Sequence, residues 1–223
     1  MLSFLILAMF SSPIQFWEQN EEPELIYVGD PMCSWCYGFT GQWNELLLLQ
    51  PSLKVKYIMG GLRPDGNEAM KDLKDFLKEH WLEIHHRTGM PFKYEILDKD
   101  MVYNTEPACR AVVTVRHLFP QKTKDFFQKT QMAFYFENHN PYATASYKKI
   151  VDGMGLDGEA FEKFYTSEPA RKMVVNDFAT AAQLGANGFP TVLLKFNNQY
   201  HIISRGYTET TLMNARIRKI LGV

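Results

Sequence analysis

The feature that most constrains this chain is a pair of cysteines, Cys33 and Cys36, separated only by Ser34 and Trp35. They stand where one backbone pattern gives way to another. Ahead of them, Leu25-Ile26-Tyr27-Val28 is a short apolar, β-prone run that reads as a buried strand, closed by Gly29-Asp30-Pro31. Behind them, from Ser34 to about Gln50, apolar side chains recur at helical spacing and Pro51 follows the end. A cysteine pair at a strand-to-helix turn puts the first thiol at a helix start, where unpaired backbone N–H groups and the macrodipole favour a thiolate. The second thiol falls three positions on, on the same helical face and a turn deeper.

The rest of the composition removes the competing uses of such a pair. Only one further cysteine is present, Cys109, which is too few and too odd a count for a disulfide-stapled secreted scaffold. A closed structural zinc site needs four ligands, and two cysteines with distant histidines do not supply them, so no metal is expected. The formal net charge of -1 provides no basic excess for phosphates, which excludes nucleic acid as a partner. No stretch reaches the ~20 apolar residues of a bilayer span, so no integral membrane association is expected. Residues 1–23 are read as an N-terminal arm or a vestigial signal. Leu2 to Phe10 is apolar, but no basic side chain precedes Lys54 and no small-x-small cleavage site follows. A cytoplasmic location is therefore preferred, with export to the periplasm as the alternative should residues 1–12 act as a signal.

The segments divide into three blocks after the arm. Residues 24–65 hold the first strand, the cysteine helix and a second, alternating strand from Leu53 to Met59, an order that implies a parallel βαβ unit. Residues 66–166 carry almost no strand signal. Helices are expected from Asn67 to His86, Pro107 to Leu118, Phe126 to Phe136, Ala145 to Gly153 and Glu159 to Tyr165, with Phe126, Phe127, Phe134, Tyr135 and Phe136 as core. Residues 167–223 return to mixed structure. A helix from Pro169 to Leu184 precedes a strand after Phe189-Pro190, a hairpin turn at Asn197-Asn198, a partner strand from Tyr200 to Ser204, and a last helix capped by Thr208 and stopped by Gly222.

This layout resembles the DsbA-like branch of the thioredoxin superfamily, and within it the FrnE-type group of predicted protein-disulfide isomerases. Three segments carry the resemblance: Asp30-Pro31-Met32-Cys33-Ser34-Trp35-Cys36, Asn104-Thr105-Glu106-Pro107-Ala108-Cys109-Arg110-Ala111, and Gly188-Phe189-Pro190-Thr191. It implies an α/β thioredoxin-like fold with a large all-helical insertion. It implies a thiol–disulfide oxidoreductase or isomerase with Cys33 as nucleophile, Cys36 as resolving thiol and Pro190 as a cis-proline facing them. No organic or metal cofactor is then needed, although glutathione is a possible co-substrate. The partners are polypeptide or small-molecule thiols and disulfides, and the oligomeric state is left open. The alternative within the same fold is a glutathione-dependent transferase or isomerase of the kappa or 2-hydroxychromene-2-carboxylate isomerase type, in which serine usually replaces the first cysteine. A holdase that uses only the insertion cleft is a third reading.

Individual residues carry competing roles. Thiol–disulfide exchange needs a thiolate and a second thiol able to displace the mixed disulfide. Ser34 and Trp35 include neither histidine nor a proline in second place, so the pair is expected to be less oxidising than the strongest oxidant of the superfamily. Trp35 serves either as an apolar surface for substrate or as a shield over the disulfide. A cis bond at Pro190 would turn the Phe189 backbone outward, where an extended substrate could pair with it. Asp30 either caps the turn before Pro31, the preferred role, or opposes thiolate formation and relays protons. Cys109 is read as a small buried apolar residue. His80, His85 and His86 are read as surface residues, with His80 and Trp81 as candidates for lining the cleft.

Overall fold

The computed structural model describes residues 22–223, and the arm-or-signal reading falls on residues that lie almost entirely outside this range. Four strands form one mixed sheet: β1 (Glu24–Gly29), β2 (Lys54–Met59), β3 (Thr191–Phe196) and β4 (Gln199–Arg205), in the order β2-β1-β3-β4. β1 runs parallel to β2, with Tyr27 beside Tyr57, and antiparallel to β3, with Tyr27 also beside Val192. β3 and β4 are an antiparallel hairpin turned by Asn197 and Asn198, both at positive φ. The central position of β1 explains its unbroken apolar run. Leu25 and Tyr27 bury into the larger core, while Ile26 and Val28 bury with Ile58 and Leu193 on the opposite face.

The helices are α1 (Ser34–Gly38), α2 (Thr40–Leu49), α3 (Lys74–Thr88), α4 (Glu106–Leu118), α5 (Thr123–Tyr135), α6 (Thr144–Gly153), α7 (Gly158–Tyr165), α8 (Glu168–Gln183) and α9 (Thr210–Leu221). α3 through α7 lie between β2 and α8, and the start of this block differs from expectation. Residues 67–69 are not helical. Ala69 bridges Val102, the Met70 N–H donates to the Met101 carbonyl at 2.7 Å, and the Tyr103 N–H donates to the Glu68 carbonyl at 2.7 Å. A distant extended partner thus captures backbone groups that a helix would have used, and a 3-10 turn over Met70–Leu73 precedes α3.

Two further departures have local causes. The helix after the cysteines is broken at Phe39 into α1 and α2, next to a glycine that lets α3 approach closely. A Cβ at Gly38 would lie 2.5 Å from Ile84 Cγ2. The last helix is capped from outside: Thr208 accepts from the Ser204 hydroxyl instead, Glu209 is the N-cap, and the Thr210 N–H donates to Gln42 Oε1 of α2 at 2.7 Å.

One ion pair fastens the helical block to the sheet. Arg116 of α4 donates to both carboxylate oxygens of Asp177 of α8 at 2.7 and 2.8 Å, and to the Tyr57 carbonyl at 2.5 Å. Asp177 Oδ2 also accepts the Met59 N–H at 2.8 Å, so α4, α8 and the end of β2 meet at one carboxylate.

Candidate active site

Cys33 ends the turn after β1 and is the N-cap of α1, with extended backbone angles. Its N–H donates to the Asp30 carbonyl at 3.1 Å, and its carbonyl accepts from Tyr37 N–H. The turn itself is built by Asp30, whose Oδ1 accepts the Met32 N–H at 2.8 Å. The chain crosses Cys33 once more at the start of β3. The Phe189–Pro190 peptide is cis, and Cys33 Sγ lies 3.6 Å from the Phe189 carbonyl oxygen. Two segments more than 150 residues apart in the chain are thus brought together at one sulfur, the contact spanning 156 positions.

The two thiols differ in depth. Cys33 keeps 5% of its surface and Cys36 only 1%, and both are free cysteines. Burial pushes the Cys36 thiol well above the ordinary cysteine range, and its hydrogen bond with Cys33 adds to the shift. Ser34 and Trp35 are half-buried, and Phe189 likewise, with its ring wedged against Gly60. A Cβ at Gly60 would fall 2.1 Å from Phe189 Cε1, so the close approach requires glycine there.

Asp30 reaches further than a turn cap. It is fully buried, its Oδ2 accepts the Leu62 N–H at 2.7 Å, and the Cys109 thiol donates to the same oxygen at 3.3 Å. Burial raises the Asp30 carboxyl above its ordinary range, against the pull of these donors. Cys109 is buried as its residue type predicts, and its partner lies 79 positions away, a separation that no sequence spacing records. Burial and the neighbouring Asp30 both push its thiol well up.

Other contacts on the site were also invisible in the sequence. Tyr103 donates its hydroxyl to the Met32 carbonyl at 2.5 Å, tying the helical block to the residue before Cys33. Trp35 stands 6.2 Å from Tyr207, centroid to centroid, and the Arg87 guanidinium covers both rings. Trp81 is a core residue at 1% exposure, while Phe136 is 37% exposed where core was expected, with Lys93 over its ring. His80 packs against Phe76 at the surface, the rings tilted by 43°, with a ring nitrogen 2.9 Å from the Phe76 carbonyl. Among the described residues no group of three or more His, Cys, Asp or Glu is placed to hold a metal ion.

Comparison with known proteins places this arrangement in a class. Residues 24–213 match the model of the DSBA-like thioredoxin domain, and the chain belongs to that family, whose members are thiol–disulfide oxidoreductases. Its DsbA-like thioredoxin fold follows, with the helical block set between β2 and β3. Among solved structures, a presumed protein disulfide isomerase from Nitrosomonas europaea shares 31% identity, with a TM-score of 0.83 over 91% of this chain and 98% of that one. The cytosolic disulfide reductase DsbM from Pseudomonas aeruginosa shares the fold at 24% identity and a TM-score of 0.75, covering 89% of this chain and 98% of that one. The same reductase, solved with GSH, aligns at a TM-score of 0.71 and 24% identity over 90% of this chain and 100% of that one. No curated protein matches the chain. Among the described residues no helix is long and apolar enough to cross a membrane.

Proposed function

We propose that Cys33 and Cys36 perform thiol–disulfide exchange on polypeptide and small-molecule disulfides, with Cys33 as nucleophile and Cys36 as resolving thiol. The observation that carries this reading is the Cys33 sulfur at the head of α1, facing the Phe189 carbonyl at 3.6 Å, with a deeper thiol three residues on. The Cys33 thiolate attacks a substrate disulfide, forming one S–S bond and expelling one substrate thiol. Cys36 then gives up its proton and attacks Cys33 Sγ, expelling the second thiol and leaving a Cys33–Cys36 disulfide. Two electrons pass to the substrate. Keeping Cys36 protonated until then suits it to wait, because only a thiolate attacks.

The direction we assign is reduction or isomerisation in the cytoplasm, where a thiol pool holds such pairs reduced. The 31%-identical relative, presumed to be a disulfide isomerase, supports the isomerase part of this assignment. Glutathione is the proposed small co-substrate, a choice in keeping with a related fold having been solved with GSH. Pro190, Phe189 and Trp35 are the proposed substrate-facing residues, and Asp30 and Ser34 support the turn.

Reduction of insulin disulfides by the wild-type protein and by Cys33→Ala tests the reading. The variant should lose activity; full retention would remove the proposal. Glutathione binding undiminished in a Cys33→Ala/Cys36→Ala double variant, together with that retention, would favour a glutathione-dependent transferase or isomerase instead.

A further inference from the structure

Arg87 ends α3, and its guanidinium carbon lies 4.7 Å from the Tyr207 ring centroid and 5.8 Å from that of Trp35. Both rings are tied to Cys33. Trp35 stands between the two cysteines. Tyr207 follows Gly206, whose N–H donates to the Pro190 carbonyl at 2.7 Å, so its loop is fixed to the proline segment that faces Cys33. α3 is itself held against α1, since Gly38 packs on Ile84, one turn before Arg87. Three separate parts of the fold therefore bring the charge to the rings of Trp35, which lies between the two cysteines, and of Tyr207, next to the loop fixed to the proline segment.

Arg87 is exposed, and among the described residues it has no ion-pair partner. Glu83, one helical turn earlier and on the same face, makes no pair with it. The two rings are tilted by 58° to each other and the guanidinium carbon lies over both, while among the described residues no hydrogen bond engages its N–H donors, which are left open. A planar fork of donors steadied over aromatic rings matches a carboxylate in two parallel hydrogen bonds, which a lysine would not.

We propose that Arg87, seated on the Trp35–Tyr207 ring pair, receives a carboxylate of a small anionic disulfide of the glutathione kind while its sulfur is presented to Cys33. The assignment rests on the exchange reaction proposed above. With glutathione disulfide the balance is explicit. Cys33 Sγ bonds to one glutathione sulfur as the S–S bond of the substrate breaks and one glutathione leaves with a proton. Cys36 then bonds to Cys33 Sγ, the second glutathione leaves, and the protein dithiol has lost two electrons to its substrate. Arg87 touches the carboxylate throughout and exchanges no electrons.

The test is a ratio. Second-order rate constants for oxidation of the reduced protein are measured with glutathione disulfide, which is anionic, and with bis(2-hydroxyethyl) disulfide, which is neutral. Arg87→Gln should lower the anionic-to-neutral ratio about twofold to fivefold, the range for one ion-pair contact at an accessible site. Arg87→Glu should lower it further, and Arg87→Lys should restore only part. Added salt should depress the wild-type ratio and leave that of Arg87→Gln nearly flat. A ratio unchanged in Arg87→Gln, or both rates falling by one common factor, would overturn the assignment while the exchange reaction stands. A wild-type protein that reacts with neither disulfide would overturn the exchange reaction and this subsite with it.

Discussion

The Cys109 thiol donates a hydrogen bond to Asp30 Oδ2 at 3.3 Å, linking the middle of the helical block to the carboxylate three residues ahead of Cys33. That oxygen also takes the Leu62 N–H, the other takes the Met32 N–H, and the Thr105 hydroxyl is a further donor, so a fully buried carboxylate is surrounded by four donors. Removing one donor from a buried anion costs more than the bond itself is worth, because the group stays desolvated. Cys109→Ala should therefore destabilise the fold by about 1–3 kcal/mol. Cys109→Ser, which keeps a donor, should recover part of that in urea unfolding. Equal losses in the two variants would mean that Cys109 only fills space.

Asp30 also gives the protein a pH signature of determined sign. Burial raises its carboxyl in the folded state, while the unfolded chain holds the ordinary value of about 3.9. Between the two values the folded state binds more protons than the unfolded state, so this group's contribution to stability falls as pH rises through that window. Asparagine does not titrate. The melting temperature of Asp30→Asn relative to wild type should therefore improve on going from about pH 4 toward neutrality, even if the variant is weaker at every pH through its misplaced amide N–H groups. A difference that is flat with pH would mean that Asp30 titrates as it does in the unfolded chain.

The strands, most helices and the two cysteines were legible because each is a local signal. Leu25 to Val28 is apolar since both of its faces are covered, and Asn197-Asn198 turns a hairpin by their tolerance of positive φ. What was not legible came from residues that satisfy each other across the chain. Asn67 to Ala69 look helical in isolation, yet residues 68–70 pair with residues 101–103. Thr208 is a good cap by type, but Gln42 reaches the helix end first. The Asp30–Cys109 bond and the Arg87 stack are of the same kind: no periodicity records a partner 79 residues away.

The Arg116–Asp177 pair should be a point of high cost. Asp177 has 11% side-chain exposure, and it accepts from both Arg116 and the Met59 N–H. Arg116→Ala leaves that carboxylate largely buried without its cation, and should lower stability by about 3 kcal/mol, the lower end for a broken buried pair. Asp177→Asn keeps an acceptor for Met59 and should cost less. Chemical denaturation of the two variants and of their combination gives the coupling between the residues; additive losses would show that the clamp is not a unit.

The placement of Phe189 can be separated from the integrity of the fold by substituting its neighbours. A Cβ at Gly60 would lie 2.1 to 2.7 Å from three atoms of the Phe189 ring, so Gly60→Ala must push that ring aside. The carbonyl of the same residue lies 3.6 Å from Cys33 Sγ, so any part of the displacement that the backbone takes up reaches the reactive sulfur. Exchange chemistry is steep in alignment, and a misplacement near 1 Å costs about 100-fold in rate when it falls on reacting groups. Part of that, about tenfold, is expected for Gly60→Ala in insulin reduction. Overpacking should lower stability by about 1–3 kcal/mol at the same time, so rates are compared under conditions where the variant remains folded. Gly188→Ala is the matched control, since a Cβ there meets nothing within 4 Å although it adjoins Phe189 on the other side. Folded Gly60→Ala protein that reduces insulin as fast as Gly188→Ala would show that the position of Phe189 does not govern the reaction at Cys33.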